Sequence, residues 1–308
     1  MKISIVATLY YSEGYIAEFY RRVTAAVKKI TPDYEIVFVN DGSPDKSLEK
    51  VIAIQKEDPR VMLVDLSRNF GHHKAIMTGL RFAEGDYVFL IDTDLEEEPE
   101  LLTVFWSELQ AKPDLDVVYG IQKSRKGGWF ERVSGYLFYK LFNFIAGYEY
   151  PANPFTARLM SQRYIQGLRT FNEKEIDLWG LFILNGFKQA GLTLTKKSKG
   201  TTTYTFKRKL RIAVDTITSF TSRPLYIIFL VGLFITLVST INIIYIVYQK
   251  LAAQVTVDGY TSLFASIWFI GGGLMFTLGI IGIYLSKIFL EIKNRPLTII
   301  KEVYKIEQ

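Results

Sequence analysis

The chain has 308 residues, roughly twice the ~150 of one typical domain, so two units are expected. Apolar residues make up 49% and charged ones 22%, with a mean hydropathy of +0.15, which excludes a disordered or collagen-like chain and points to membrane segments. The absence of cysteine excludes disulfides, zinc–thiolate sites, iron–sulfur clusters and cysteine nucleophiles, while 37 basic against 31 acidic residues give +6 and call for an anionic partner: nucleic acid, lipid or a phosphorylated substrate.

In chain order, short β-branched runs at 3–9, 35–40, 61–66, 87–91 and 117–119 predict strands. Each but the last is followed by an amphipathic stretch, at 13–30, 46–56, 73–83 and 99–111, that predicts a helix. Strand and helix in alternation imply an α/β fold with a mostly parallel sheet covered on both faces, whose ligands sit beyond the carboxyl ends of the strands. The start of the chain shows no signal-peptide cleavage pattern, so the first 200 residues are expected to stay inside the cell.

From 127 to 147, Trp129, Phe130, Val133, Leu137, Phe138, Leu141, Phe142 and Ile145 recur at helical spacing among charged residues. That mix suits an interfacial helix in the headgroup layer, and a core helix is the alternative. A second amphipathic segment, 206–222, joins a basic cluster to Ile212, Val214, Ile217 and Phe220. Residues 224–249 and 259–286 carry no charge at all, and each exceeds the ~20 apolar residues that cross a bilayer. Two transmembrane helices are therefore expected, roughly 225–248 and 263–285. Lys207, Arg208, Lys209, Arg211 and Arg223 precede the first, and Lys287, Lys293, Arg295 and Lys301 follow the second, whereas the connector holds only Lys250 and Asp258. The positive-inside rule then places both flanks in the cytoplasm.

Three strand ends carry reactive groups. Asp92 and Asp94 flank one residue after the fourth strand, where two carboxylates can share one hard cation such as Mg²⁺ or Mn²⁺ and leave places for phosphate oxygens. Asp41 follows the second strand and offers a carboxylate to a ribose or a base N–H; as part of a plain turn it needs no such role. Arg68, with Asn69, Gly71 and Lys74 near it, offers donors for phosphate or sugar hydroxyls. His72 and His73, adjacent in an extended run, are expected to point opposite ways and not to ligate a metal. No Gly-x-Gly-x-x-Gly follows the first strand, and neither a Walker lysine loop nor His-Glu-x-x-His occurs, which disfavours dinucleotide oxidoreductases, P-loop NTPases and zinc hydrolases. The basic residues gather beside the apolar spans rather than on a soluble stripe, so no nucleic acid is expected and lipid phosphate is the better anion.

In this order the pattern resembles the family-2 glycosyltransferases, in particular their polyprenyl-phosphate group. The matching stretches are Val39-Asn40-Asp41-Gly42-Ser43, Ser67-Arg68-Asn69-Phe70-Gly71, Ile91-Asp92-Thr93-Asp94-Leu95, Arg158-Leu159-Met160, Thr218-Ser219-Phe220 with Pro224-Leu225, and Glu291-Ile292-Lys293-Asn294-Arg295-Pro296. The resemblance implies an A-type, Rossmann-like nucleotide-diphospho-sugar fold with interfacial helices and two carboxyl-terminal transmembrane helices. It implies a cytoplasmic catalytic domain at 1–204, a juxtamembrane helix at 205–223, the spans at 224–286 and a cytoplasmic tail at 287–308. The protein would then be integral to the cytoplasmic membrane with both termini inside. Thr8, Tyr10, Glu13, Asp41, Arg68 and Asp92 would contact the nucleotide sugar. Asp92 and Asp94 would hold Mg²⁺ or Mn²⁺ at the diphosphate. Arg125, Arg158 and Lys199 would meet the acceptor phosphate, with Asp92, Asp94 and Arg125 as the catalytic set.

The chain also departs from that family. Thr8-Leu9-Tyr10-Tyr11-Ser12-Glu13 replaces Pro-x-Tyr-Asn-Glu, Gln122 replaces the first arginine of an Arg-x-x-Arg pair, Thr156 lies where an acid commonly precedes Phe-Arg-Leu-Met, and Lys199 begins the replacement of Arg-x-x-Gly-x-Ser-Lys-Tyr. The expectation is inverting transfer of one sugar, glucose-like and from a UDP-sugar, onto undecaprenyl phosphate or a similar polyprenyl phosphate. A membrane-anchored nucleotide-sugar-binding protein without transferase activity, and a glycosyltransferase with another lipid or glycan acceptor, are the alternatives. A homo-oligomer is left open.

Overall fold

In a computed structural model of the chain, residues 1–122, 154–174, 176–194, 223–253 and 259–306 are described. The expected interfacial helix at 127–147, the segment 205–222, Arg125 and Lys199 lie outside them. The chain divides into two compact units: Met1–Tyr139 with Glu149–Tyr204 and Arg295–Gln308, and Lys140–Tyr148 with Thr205–Asn294.

The first unit alternates β1 (Ile3–Leu9), α1 (Ile16–Lys28), β2 (Tyr34–Asn40), α2 (Ser47–Glu57), β3 (Val61–Leu66), α3 (His72–Phe82), β4 (Tyr87–Leu90), α4 (Leu101–Ala111) and β5 (Val117–Gln122). β6 (Pro154–Ser161), α5 (Gln162–Thr170), α6 (Leu178–Leu184) and β7 (Gln189–Leu194) follow, and β8 (Ile300–Tyr304) comes from the tail. Every residue of β1, β2 and β3 is buried, which is why these strands read as largely apolar runs: a parallel sheet covered on both faces has no solvent side.

The strand order is β7-β5-β6-β4-β1-β2-β3-β8. The centre, β4-β1-β2-β3, is parallel as expected, but β6 runs antiparallel between β4 and β5, and β8 antiparallel against β3. The sheet is thus mixed but mostly parallel, with β6 and β8 alone among the described strands running against the rest. The three strands not foreseen are β6, β7 and β8. β6 begins at a proline and carries Arg158, while β7 and β8 are edge strands whose half-exposed, mixed residues lack the apolar run that marks a central strand. The tail does more than trail away: Ser67 N–H donates to Ile299 O at 2.9 Å, and the Thr78 and Thr298 hydroxyls meet at 2.8 Å.

Alternate residues of the strands face opposite helical layers. Ile3, Ile5, Ala7 and Leu9 join Ile36 and Phe38 in packing with Ile16, Phe19 and Val23 of α1, Val51 of α2 and Leu102, Phe105 and Leu109 of α4. On the other face, α3 approaches so closely at Gly79 that a Cβ there would stand 2.6 Å from Val6 Cγ1 and 2.9 Å from Val39 Cγ2. Parallel register then levels the strand ends, with Leu9 beside Asn40 and Val6 beside Leu90, so that Thr8 comes level with Asp92. The chain winds outward from β1 through β2 and β3, then returns to place β4 on β1's other side. A crevice opens at such a reversal, beyond the carboxyl ends.

In the second unit, α7 (Arg223–Ala253) and α8 (Tyr260–Ile292) are 31 and 33 residues long, enough at ~1.5 Å per residue to exceed a ~30 Å hydrocarbon core. Among the described residues, Phe269–Ile292 is long and apolar enough to cross a membrane, and Pro224–Ile235 is a shorter apolar stretch. Phe229, Phe234, Phe269 and Met275 are exposed.

The packing at Gly79 makes a prediction. Gly79→Ala should lower stability by ~1–3 kcal/mol through overpacking, less up to ~1 kcal/mol of helix propensity regained, as read by urea unfolding. Adding Val6→Ala to Gly79→Ala should cost less than Val6→Ala costs in the wild type; strictly additive losses would refute the contact.

Candidate functional site

Five segments meet at the crevice: the end of β1 with its loop, the β2–α2 turn, the β3–α3 loop with the first turn of α3, the loop after β4, and the start of β6. Each is fixed by short-range polar chemistry. Gly42, in the turn after β2, has φ +59, and a Cβ there would stand 2.5 Å from both Arg68 C and Asn69 N, so only glycine lets the two loops touch. Asp45 gathers the Ser43 hydroxyl at 2.6 Å, the Ser47 amide at 3.1 Å and the Glu13 amide at 2.9 Å. Burial pushes its carboxyl up, but the hydrogen bonds from Ser43, Ser47 and Glu13 outweigh that and hold it at about 2.

The loop after β4 is tied to β1 by the residue between its two aspartates. Thr93 Oγ1 donates to Thr8 O at 3.0 Å and also lies 3.0 Å from Ser12 Oγ. Asp94 Oδ1 accepts the Glu96 amide at 2.9 Å. Asp92 Oδ1 faces His72 Nε2 at 3.4 Å, and His72 Nδ1 faces Thr8 Oγ1 at 3.2 Å. Burial lowers the pKa of His72 despite Asp41, Asp94 and Glu97 nearby, and burial lowers His73 likewise, so both rings are neutral at pH 7.

The histidines do not lie in an extended run, which corrects the geometry expected of them. Gly71 starts α3 one residue earlier than its apolar spacing suggests, and both rings sit in the first helical turn, 6.0 Å apart. His72 turns to Asp92; His73 Nδ1 lies 3.3 Å from Ile176 O.

Of the expected contacts, Tyr10 is 49% exposed and Tyr11 63%, their rings edge-to-face at 4.8 Å. Tyr11 holds a left-handed φ of 53°, its N–H donating to Ser43 Oγ at 2.8 Å. Arg68 is exposed and stacks its guanidinium over Phe70 at 4.2 Å. Thr8 is buried under His72. Glu13 turns toward α2, accepting the Lys46 amide at 3.3 Å and pairing with Lys50 at 3.8 Å. Asp41 is only 2% exposed, its two oxygens accepting the amides of Phe70 at 2.7 Å and Gly71 at 3.1 Å; burial raises its pKa and those amides pull it back in part. In this structure it holds the β3–α3 loop rather than facing open space.

Arg158, expected at the acceptor phosphate, is enclosed. It is 1% exposed, with its guanidinium 3.5 Å from the Phe182 ring centre, 4.5 Å from Trp179 and 5.7 Å from Tyr119. Cation–π contact explains how a charge is housed there. Glu97, missed by the sequence reading, is also buried: it accepts the Ala157 amide at 2.7 Å and the Thr156 amide at 3.2 Å, fastening the start of β6 to the loop after β4. An acid three residues beyond Asp94 was the available signal, but it reads equally as a helix start.

No three His, Asp or Glu side chains gather as a self-sufficient cation cage among the described residues. Two carboxylates at one strand end nevertheless fit Mg²⁺ or Mn²⁺, which takes one or two protein carboxylates and completes its shell from substrate phosphates and water.

Asp45 links this frame to pH. Its folded value, about 2, lies below the unfolded 3.8, so the stability it contributes is full above pH 3.8 and is lost as pH falls toward 2. Thermal melts should show the wild type's advantage over Asp45→Asn shrinking across that window; a constant gap would contradict the assignment.

Residues 4–169 match the family described as glycosyl transferase family 2. The chain is 44% identical over 304 residues to a Mycobacterium tuberculosis (strain CDC 1551 / Oshkosh) protein whose name places it among glycosyltransferases, covering 99% of this chain and 89% of that one. It is 31% identical over 307 residues to the SfII prophage-derived bactoprenol glucosyl transferase of Shigella flexneri, covering 99% of each. Among solved structures it is similar to glucosyl-3-phosphoglycerate synthase from Mycobacterium tuberculosis in complex with Mn²⁺, UDP-glucose and phosphoglyceric acid, at 17% identity and a TM-score of 0.47, covering 72% of this chain and 79% of that one. The match to the family over more than half of the chain, with relatives above 30% identity along nearly its whole length, shows that the chain belongs to glycosyl transferase family 2.

Proposed function

We propose that the protein transfers one glucose-like hexose from a UDP-sugar to undecaprenyl phosphate or a similar polyprenyl phosphate, with inversion, at the cytoplasmic face of the membrane. The observation that carries this reading is the Asp92-Thr93-Asp94 loop, hydrogen-bonded to the end of β1 at the reversal point of a family-2 sheet. The Shigella relative supports the choice of sugar and acceptor, since its name gives glucose and bactoprenol to that protein.

In this reading a phosphate oxygen of the lipid attacks the anomeric carbon from the face opposite the nucleotide. The new C–O bond forms as the bond to the diphosphate breaks, and the electron pair leaves on the nucleoside diphosphate. The attacking phosphate is ionised at neutral pH, so the absence of an acid at Thr156 costs no base. Asp92 and Asp94 would hold Mg²⁺ or Mn²⁺, which when bound neutralises charge on the departing diphosphate. Exposed Arg68 is assigned to the donor's phosphate or sugar hydroxyls, the Tyr10 and Tyr11 rings to the base, and Arg125 and Lys199 to the acceptor phosphate.

We assign α7 and α8 to the bilayer as two spans. Their charge-free stretches, their lengths and the exposed apolar side chains support this, and the basic flanks support a cytoplasmic catalytic domain and termini. Unpaired with lipid, so much exposed apolar surface would drive aggregation.

The decisive experiment incubates purified protein with radiolabelled nucleotide sugars, Mg²⁺ or Mn²⁺ and undecaprenyl phosphate. Label from UDP-glucose should enter the organic phase; no transfer from any donor would leave only a binding protein. Asp94→Asn should cut turnover at limiting Mn²⁺ by more than the ~10–100-fold typical of residues beside a metal's ligands, with circular dichroism unchanged. Full turnover would remove Asp94 from the metal site. Because the chain lacks cysteine, Gln254→Cys should label with an impermeant maleimide from outside intact cells and Lys305→Cys should not. The reverse pattern would put the catalytic domain outside.

A further inference from the structure

We propose that His72 is a positioning residue for Asp92, the carboxylate assigned above to the donor's diphosphate; the inference rests on that assignment. Three segments distant in sequence converge here. Thr8 is the penultimate residue of β1, His72 opens α3 and Asp92 follows β4, and the imidazole stands between the other two side chains, 3.2 Å from Thr8 Oγ1 and 3.4 Å from Asp92 Oδ1.

The chemistry of the partners fixes the ring's tautomer. A carboxylate accepts, so the tautomer that suits the Asp92 side, where Nε2 and Oδ1 lie 3.4 Å apart, is the one with the proton on Nε2. Nδ1 is then left as an acceptor, and a hydroxyl is the one kind of partner at that side able to supply a proton to it. Thr8 is in turn held by its own backbone, whose carbonyl accepts the Thr93 hydroxyl from the same loop that carries Asp92. The loop is thus hydrogen-bonded to β1 through Thr93, and the His72 ring, in contact with Thr8, stands beside its Asp92. A carboxylate that must meet a cation or a diphosphate gains from this, because a neighbour that fixes its orientation removes rotamers unable to bind. His73 has the opposite pattern. Its Nδ1 faces the Ile176 carbonyl, which only accepts, so Nδ1 carries the proton there.

Nitrogen-detected NMR of the full chain in detergent, without metal or nucleotide, tests this directly, since the chain has two histidines. One should show the Nε2–H tautomer and the other Nδ1–H. Asp92→Ala should shift the first toward a mixture and leave the second untouched. Two Nδ1–H signals, or no response to Asp92→Ala, would overturn the proposal.

Calorimetry of UDP binding with and without Mn²⁺ gives the functional arm. His72→Leu should leave metal-free UDP affinity near wild type and reduce the Mn²⁺-dependent gain ~10-fold or more, whereas His72→Gln, whose amide can replace the Nε2–H donor, should restore most of it. Thr8→Val, nearly isosteric, should give an intermediate loss and serves if His72→Leu does not fold. A wild-type Mn²⁺ response in both His72→Leu and Thr8→Val would refute the positioning role. Wild-type protein that gains nothing from Mn²⁺ would instead refute the metal assignment of Asp92 and Asp94, a result the metal-free NMR reads independently.

Discussion

The parallel register of β4, β1 and β2 is the constraint on which the site depends. It brings Thr8 level with Asp92 and Leu9 beside Asn40, so groups more than eighty residues apart in the chain meet along one edge. Slip either strand by one residue and every side chain would change face, sending the β1 residues that pack on α1 toward α3. The same apolar packing that stabilises the sheet therefore sets the spacing of the polar groups at its rim. Stability and site geometry are one property here, not two.

Two strand-end acids show how differently that rim can use the same residue type. Asp41 and Asp92 each follow an apolar strand and each precede a turn. Asp41 is covered by the β3–α3 loop, and its oxygens accept the amides of Phe70 and Gly71. Asp92 stays partly open with an imidazole at its side. A buried carboxylate that collects amides is a structural clamp; Glu97 clamps β6 in the same way. The clamps hold the loops, and the half-buried Asp92 and Asp94 between them are the acids that the proposed reading gives to the diphosphate.

The centre of the fold is legible in the amino-acid sequence because burial on both faces leaves largely apolar runs. β1, β2, β3 and their helices fall within a few residues of where spacing places them. Legibility fails where tertiary contact overrides local pattern. Nothing linear announces that Arg158 will be enclosed by Phe182, Trp179 and Tyr119, since an arginine before Leu159 and Met160 reads equally well as a ligand on a loop. The clamp role of Asp41 needs the β3–α3 loop folded over it. The histidine pair was misjudged by one residue of helix boundary, which Gly71 decides: both lie in the first helical turn rather than in an extended run.

The left-handed backbone at Tyr11 has a consequence for how such a protein can change. A tyrosine at positive φ carries on the order of 1–3 kcal/mol of strain, and here the Ser43 hydroxyl and the turn around Gly42 hold it in place. Tyr10 and Tyr11 project from this rigid rim into solvent and support no core packing. Mutational drift at these two positions therefore meets little resistance from folding, and at Tyr11 a switch to glycine or asparagine even relaxes the backbone. In the proposed reading, where the pair meets the base, selection on the ligand alone would keep it, and the first loop would be the part of the rim where a lineage could retune its choice of nucleotide without rebuilding the sheet beneath.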